Sequence, residues 1–409
     1  MKEILDIRGE FPELSEKVYG KPLVYLDNAA TSQRPLSVVR KWDEMSLKSN
    51  SNLHRAVHLK ANEATEEYES ARKAVCEYIG AQDPSEIVFT SGTTASINLV
   101  AFSFGEAFVS EGDEIIVSEA EHHSDIVPWQ MMAQRKRAFI KVLPVDENGR
   151  LEVEKLPSLI TEKTRIVCVT HISNVLGLVN PIEKVVEICR EKSCPVLVDG
   201  AQGIVHEKVD VSRLGCDFYV FSGHKLYGPS GTGVLYARKP WLDNLPPYMG
   251  GGEMIETVKW DCTTYAAAPH KFEAGTQNIN AVPALKEALA IDKLLKNNKI
   301  RSYSESVRDY VYEALVSDSS IHLFGRTDNM EEKASLFSFT VDGAHHEDLA
   351  LILDKMGVAV RSGQMCAEPL MDRFGVTGML RASFAPYNTM EEAEYFIASL
   401  HRAVKLLKG

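Results

Sequence analysis

Ser222-Gly223-His224-Lys225-Leu226-Tyr227-Gly228-Pro229 follows directly on an apolar run, Asp217-Phe218-Tyr219-Val220-Phe221. A strand therefore ends by offering a serine, a histidine and a lysine on a loop bounded by glycine and proline. Open α/β sheets bind ligands at such carboxyl ends of strands. A lysine held there can form a Schiff base with a carbonyl substrate or with pyridoxal phosphate. Upstream, Pro195-Val196-Leu197-Val198-Asp199 is a second buried-strand pattern, and it closes on a carboxylate before Gly200-Ala201-Gln202. Pyridoxal phosphate needs an acidic partner at its ring nitrogen, because the protonated ring is the electron sink. Alone, Lys225 reads as a surface-loop lysine and Asp199 as a cap or turn residue. At two successive strand ends they read as a cofactor site.

Ser91-Gly92-Thr93-Thr94 sits between a strand pattern at 86–90 and a helical run from Ala95. Backbone N–H groups and two hydroxyls at a helix start form an anion site. Plain capping by Thr93 or Thr94 is the other reading, and the two are compatible. Glu121-His122-His123-Ser124-Asp125 follows a further strand. Adjacent side chains there diverge, and the His-x-x-x-His or His-x-x-His spacing of a helical metal site is absent. The doublet reads better as a histidine stacked on an aromatic cofactor, and no metal is expected. Gly228-Pro229-Ser230-Gly231-Thr232-Gly233 lacks the Gly-Lys-Ser/Thr ending of a nucleotide phosphate loop and precedes a strand. Arg361-Ser362-Gly363-Gln364-Met365-Cys366-Ala367-Glu368-Pro369 puts a cysteine on a loop after a strand. The loop setting and nearby arginine favour a reactive thiolate. A buried structural cysteine reads equally well from position alone.

These loops need strands and helices to hold them. Apolar runs at 86–90, 114–117, 139–143, 165–169, 196–198, 218–221 and 233–236 read as seven strands, most separated by helix-length segments or loops. That alternation predicts a mainly parallel sheet covered by helices on both faces. Between Lys60 and Ile79, apolar side chains at Ala61, Ala64, Tyr68, Ala71, Val75 and Tyr78 predict an amphipathic helix closed by Gly80. Residues 1–21 read as a short helical arm ending at Gly20, and 22–27 as a strand. Past Pro283 the pattern changes: helices over 284–297, 302–316, 347–356 and 390–407 accompany strands over 320–324, 335–341 and 357–361.

The 409 residues are 44% hydrophobic, enough for a large core, and carry a formal net charge of -12. That balance favours solubility and argues against a nucleic-acid or anionic-membrane surface. The N-terminus lacks the apolar segment of a signal peptide, and no run approaches a membrane span. Cys76, Cys168, Cys189, Cys194, Cys216, Cys262 and Cys366 are odd in number, with no Cys-x-x-Cys. In such a chain they read as reduced thiols and point to a cytoplasmic location.

Ser222-Gly-His-Lys225-Leu-Tyr-Gly-Pro229, Asp199-Gly-Ala-Gln202, Glu121-His122-His123, Phe272-Glu-Ala-Gly-Thr276 and Arg361-x-Gly-x-x-Cys366-Ala together resemble the class V aminotransferase superfamily. Within it, the chain is similar to the SUF-type (group II) cysteine desulfurases, which overlap with selenocysteine lyases. The resemblance runs from Tyr25-Leu-Asp-Asn-Ala-Ala30 to Arg381-Ala-Ser383. It implies an α/β fold of the fold-type I pyridoxal phosphate transferases. A large domain, 1–282, would hold the seven-stranded sheet, with the arm 1–21 packing on a smaller α+β domain, 283–409, that carries the cysteine loop. Lys225 would hold pyridoxal 5'-phosphate and move the substrate Cα proton. Asp199 would pair with the ring nitrogen, His122 would stack on the ring, and Gln202 would contact its phenolic oxygen. Thr93, Thr94, Ser222 and His224 would hold the phosphate, with Thr276 reaching in from a second subunit. Asn174 and Arg381 would bind the substrate carboxylate, and Arg361, His54 and Arg55 would complete the substrate site near a homodimer interface. Cys366 would take sulfur from L-cysteine as a persulfide, release L-alanine, and pass sulfur to a SUF-type acceptor for iron–sulfur clusters.

One departure qualifies that resemblance. Many relatives have two histidines immediately before the cysteine, where this chain has Gln364 and Met365. Neither does the acid–base or zinc chemistry of histidine. The alternatives are a lyase acting on L-selenocysteine, an aminotransferase of the same fold, and a non-catalytic cofactor-binding regulator. The last would normally add a basic DNA-binding domain, and none is evident.

Overall fold

Seven short runs rich in Val, Ile and Phe form one sheet in the computed structural model, which describes residues 7–55 and 57–408. They are β1 Ile87–Thr90, β2 Glu114–Ser118, β3 Phe139–Leu143, β4 Thr164–Thr170, β5 Val196–Asp199, β6 Phe218–Ser222 and β7 Gly233–Ala237. Their spatial order is β1-β7-β6-β5-β4-β2-β3. Strands β2 to β6 run parallel, and β7 is antiparallel to both β6 and β1. Every position of β5, β6 and β7 is buried, as strands covered on both faces must be. The parallel register pairs Thr170 with Asp199 and Asp199 with Val220. One edge of the sheet therefore gathers the ends of β4, β5 and β6.

Helix α1, Leu59–Ile79, packs its small and apolar face inward and stops at Gly80, whose φ of 67° is the left-handed cap read from the sequence. Helix α2, Thr93–Phe108, starts right after β1. A second sheet, order β8-β9-β11-β10, is antiparallel throughout: β8 Ile321–Phe324, β9 Leu336–Val341, β10 Arg361–Gly363 and β11 Met379–Ser383. Its apolar cluster takes Val307 and Val311 from α3 (Asn298–Ser317), Leu349 and Leu353 from α4 (His346–Lys355), and Phe396 and Leu400 from α5 (Met390–Lys408). Val24 and Leu26, from near the start of the chain, join the same cluster.

Several segments differ from the sequence reading. The run 22–27 is not one strand: Lys21–Pro22 pairs with Lys17–Val18, while Val24–Tyr25 pairs in parallel with Val358–Ala359. Pro22, with no N–H to give, sits where the partner changes. The run 357–361 divides likewise between Val358–Ala359 and β10. Residues 1–6 of the expected helical arm lie outside the described ones. Its later part holds a 3-10 turn, Pro12–Ser15, and a tight hairpin whose central residues, Tyr19 and Gly20, have φ of 52° and 77°. Both values suit a two-residue hairpin turn better than a helix end. The sequence reading omitted the helix Leu36–Lys48, the hairpin Ile255–Val258/Thr263–Tyr265 and β11. Among the described residues, no helix is long and apolar enough to cross a membrane.

One buried ion pair ties α1 to the loop at 270–280. Arg72 donates to both Glu273 oxygens at 2.7 and 2.9 Å and to the Ile87 carbonyl at 2.8 Å. Glu273 in turn accepts the Phe89 N–H at 2.7 Å. Removing one partner of such a pair strands a buried charge, at a cost of about 3–5 kcal/mol. Arg72→Met should therefore lower the chemical-denaturation midpoint sharply. Lys73→Met, which loses only the exposed pair with Glu77, should cost roughly a few tenths of a kcal/mol. Equal midpoints for the two variants would refute this account.

Candidate active site

β5 ends on Asp199 and β6 ends on Ser222, after which Gly223–Lys225 turns as a single 3-10 loop. That turn brings Lys225 back over the strand ends. Together they floor a cavity of ≈ 190 Å³. Thr93, Thr94, His122 and Ser124 wall it from the large-sheet side, and Gln202, His224 and Asn174 also line it. Arg361 and Arg381, on the smaller sheet, close it together with Met365 and Cys366 from the loop after β10. Twelve of the residues singled out from the sequence thus meet in one place, 361 and 381 being paired across β10 and β11.

The charges are arranged around Lys225. Burial pushes its amine down to about 8, while the Asp199 carboxylate pulls it back up. Asp199 itself is pushed up by burial and held down by Lys225, with one oxygen accepting the Ala201 N–H at 2.8 Å. The two attract without forming a direct ion pair. His122 is pushed down to about 4, first by burial and then by Lys225. Its Nδ1 accepts the Ser124 N–H at 3.0 Å, so the neutral ring carries its hydrogen on Nε2. Burial and Lys225 likewise push His224 down to about 4. Arg381 donates to the Asn174 carbonyl and to Asp27, yet its buried Nε has no partner. Among the described residues, no hydrogen bond or ion pair engages the Arg361 guanidinium.

The helix start makes an anion cup. Gly92, not a threonine, is the N-cap of α2 and supplies no side chain. Thr93 and Thr94 therefore do not cap the helix; their hydroxyls meet Ser222 Oγ and Ser124 Oγ, both at 2.8 Å. Thr93 N–H also donates to Ser222 Oγ at 2.8 Å. First-turn N–H groups without helical acceptors remain to bind an anion. The strand behind must come close: a Cβ on Gly233 would lie 2.5 Å from the Gly92 nitrogen.

Cys366 is half-buried and opens on the cavity. Met365 and Cys366 both take left-handed backbone, with φ of 54° and 56°. The Met365 carbonyl accepts from Asn174 Nδ2 at 2.8 Å, and the Cys366 carbonyl accepts the His123 N–H at 2.7 Å. His123 Nε2 accepts the Glu368 N–H at 2.9 Å. Cys76, Cys168, Cys189, Cys194 and Cys216 are buried, and burial pushes every one of those thiols up, Cys76 to about 11 and Cys216 to about 12. Of the pair that replaces two histidines, Met365 is buried and Gln364 is exposed, its amide 3.2 Å from Glu368.

Three residues from the sequence reading lie outside the cavity of the single chain. Thr276 is exposed, Arg55 pairs with Glu253 at 3.2 Å, and His54 faces His270 with ring centroids 4.9 Å apart. Ligand atoms of His54, Glu69 and His270 lie within 4.8 Å of one another. Arg72 already holds both Glu69 oxygens, which makes this an ion-paired cluster first. The sequence reading gave His123 no role; its partners stand far along the chain, where spacing gives no signal.

The Aminotransferase class-V family profile matches residues 24–396. The chain belongs to that family. The class-V match covers both sheets and the whole cavity. Among relatives, a "Probable cysteine desulfurase" of Vibrio cholerae is 44% identical over 401 residues, 98% of each chain. A "Cysteine desulfurase" of Cronobacter sakazakii is 44% identical over 402 residues, again 98% of each. Of solved structures, the cysteine desulfurase CsdA of Escherichia coli superposes with a TM-score of 0.89 at 40% identity, covering 98% of both chains. The apo cysteine desulfurase of Thermococcus onnurineus gives 0.92 at 36%, also over 98% of both. The architecture is that of fold-type I pyridoxal phosphate enzymes.

The class-V cofactor, pyridoxal 5'-phosphate, is an aldehyde bearing a phosphate and a ring nitrogen. The cavity answers each part with an amine, a helix-start cup and a carboxylate, so the residues present fit it. In cofactor-free protein, borohydride trapping of pyridoxal on Lys225 should rise with pH to a midpoint near about 8, as the amine loses its proton. Asp199→Asn removes the charge that favours the ammonium, so the midpoint should fall. Mass spectrometry of the Lys225 peptide reads it; an unmoved midpoint would disprove the coupling.

Proposed function

We propose that the chain is a pyridoxal 5'-phosphate-dependent cysteine desulfurase that converts L-cysteine to L-alanine and keeps the sulfur on Cys366 as a persulfide. The observation that carries this reading is that Cys366 and Lys225 open on one cavity, with unengaged arginine donors beside them. An aminotransferase would have no use for a thiol there. Pyridoxal phosphate, bound at Lys225, supplies the electron sink for negative charge at the substrate Cα. Thr93, Thr94, Ser222 and His224 would hold its phosphate, Asp199 its ring nitrogen, Gln202 its phenolic oxygen and His122 its ring face.

The chain's own groups then divide the work. Arg381, with Arg361 and Asn174, binds the substrate carboxylate; an arginine fork suits a planar carboxylate better than an ammonium does. Lys225, when its amine is free, is pushed down to about 8 and is partly neutral near neutral pH, so it can take the Cα proton and return it to Cα as alanine forms. Asp27 and the Asn174 carbonyl keep Arg381 oriented while this happens. The Cys366 thiolate attacks the substrate sulfur. An S–S bond forms as the Cβ–S bond breaks, and the electron pair of the broken bond passes to carbon, which is protonated to the methyl group of alanine. The persulfide then awaits an acceptor thiol.

The reading extends to a cytoplasmic homodimer in which Thr276, His54 and Arg55 complete the partner's site, and to a SUF-type acceptor serving iron–sulfur cluster assembly. It also takes the division at 282/283 as the boundary between a larger and a smaller domain. Exposure of Thr276 and Arg55 outside the single-chain cavity supports the dimer.

Cys366→Ala should still load cofactor and bind L-cysteine, yet lose protein-bound persulfide and nearly all alanine formation. Wild-type alanine release in that variant, with an acceptor thiol present, would make Cys366 structural and the enzyme a lyase. Arg381→Lys should raise KM for L-cysteine about tenfold, equivalent to ~1.4 kcal/mol of lost carboxylate binding. A KM equal to wild type would remove Arg381 from the substrate site.

A further inference from the structure

We propose that His123 is a positioning residue that docks the Cys366 loop and so sets where the thiol stands. The proposal rests on the desulfurase reading for its purpose, and on geometry for its substance. His122 and His123 are adjacent but serve different partners: their ring centroids lie 6.3 Å apart, and His122 Nδ1 turns to Ser124. His123 turns to the loop. Its N–H donates to the Cys366 carbonyl at 2.7 Å, and its Nε2 accepts the Glu368 N–H at 2.9 Å. One residue thus grips the chain at the nucleophile and again two residues beyond it.

The second grip fills a vacancy. Glu368 opens the helix Glu368–Phe374, and the N-cap, Ala367, has no side-chain oxygen to offer. The first N–H groups of a helix have no partner within the helix. His123 supplies the missing acceptor from a different element, and does so only while Nε2 carries no proton. The loop also needs holding. Met365 and Cys366 are both left-handed, and such residues persist where the surroundings over-determine them. Asn174 fixes the Met365 carbonyl from one side, and His123 fixes the next carbonyl from the other. Docked, the thiol faces the cavity and can take sulfur. Undocked, it is free to meet an acceptor. His123 holds the loop in the first of these arrangements.

The test uses the holoenzyme with His123→Phe, which keeps a ring and loses the acceptor, and His123→Gln, whose amide oxygen can replace Nε2. Three measurements apply: amide exchange at Glu368 by residue-resolved mass spectrometry, the iodoacetamide labelling rate of Cys366, and kcat/KM for L-cysteine. In the Phe variant, exchange and labelling should each rise about fivefold, the equivalent of one hydrogen bond of ~1 kcal/mol. kcat/KM should fall while cofactor absorbance stays unchanged. The Gln variant should return all three toward wild type. Exposed Cys262 is the internal control and should label at one rate throughout. Wild-type exchange and labelling in the Phe variant would overturn the proposal, as would a Gln variant as defective as Phe. Should the Phe variant not fold, unprotected exchange of the Glu368 amide in the wild-type protein would overturn it alone. Failure of the desulfurase reading would appear separately, as absence of persulfide in wild type with exchange and labelling unaffected.

Discussion

Lys225 and Asp199 are opposite charges at the ends of neighbouring parallel strands, close enough to shift one another and not joined. Much of the architecture serves that separation. Parallel pairing sets β5 and β6 in register, so both side chains leave the sheet at one edge. Burial of β5 and β6 on both faces removes the water that would otherwise solvate them. A direct salt bridge would quench both charges. Holding them apart leaves an amine with weakened basicity and a carboxylate with spare capacity, facing the same space.

The cavity lies where the two parts of the chain exchange segments. Val24 and Leu26 leave the first part to join the apolar cluster of the smaller sheet. Met365, Ala367, Leu370 and Met371 do the reverse and pack in the core of the larger one. Each crossing anchors the other side, so the Cys366 loop is clamped by buried side chains on both flanks. The cavity thereby sits in a seam whose walls belong to different cores.

Much of this was legible in the residues. Strands buried on both faces read as plain apolar runs, and the lysine and aspartate read at their ends do meet in one cavity. Other parts were not legible. Arg381 entered only through family resemblance, because its five-residue strand is short and buries a charged side chain. The left-handed backbone at Met365 and Cys366 leaves no mark in residue type, since neither methionine nor cysteine favours it. His123 stood in plain view, yet its acceptor role depends on a chain segment 245 residues away. His54, Arg55 and Thr276 entered through the same resemblance and line no part of the single-chain cavity, which sequence spacing had no means to tell.

The φ of 56° at Cys366 sets the comfort of the chain against its chemistry. A glycine would adopt that backbone without penalty, whereas a residue with a Cβ bears roughly 1–3 kcal/mol there. A thiol at this position is therefore retained against the conformational preference of its own backbone. Cys168 and Cys216 bear no such cost, since neither is among the residues with positive φ.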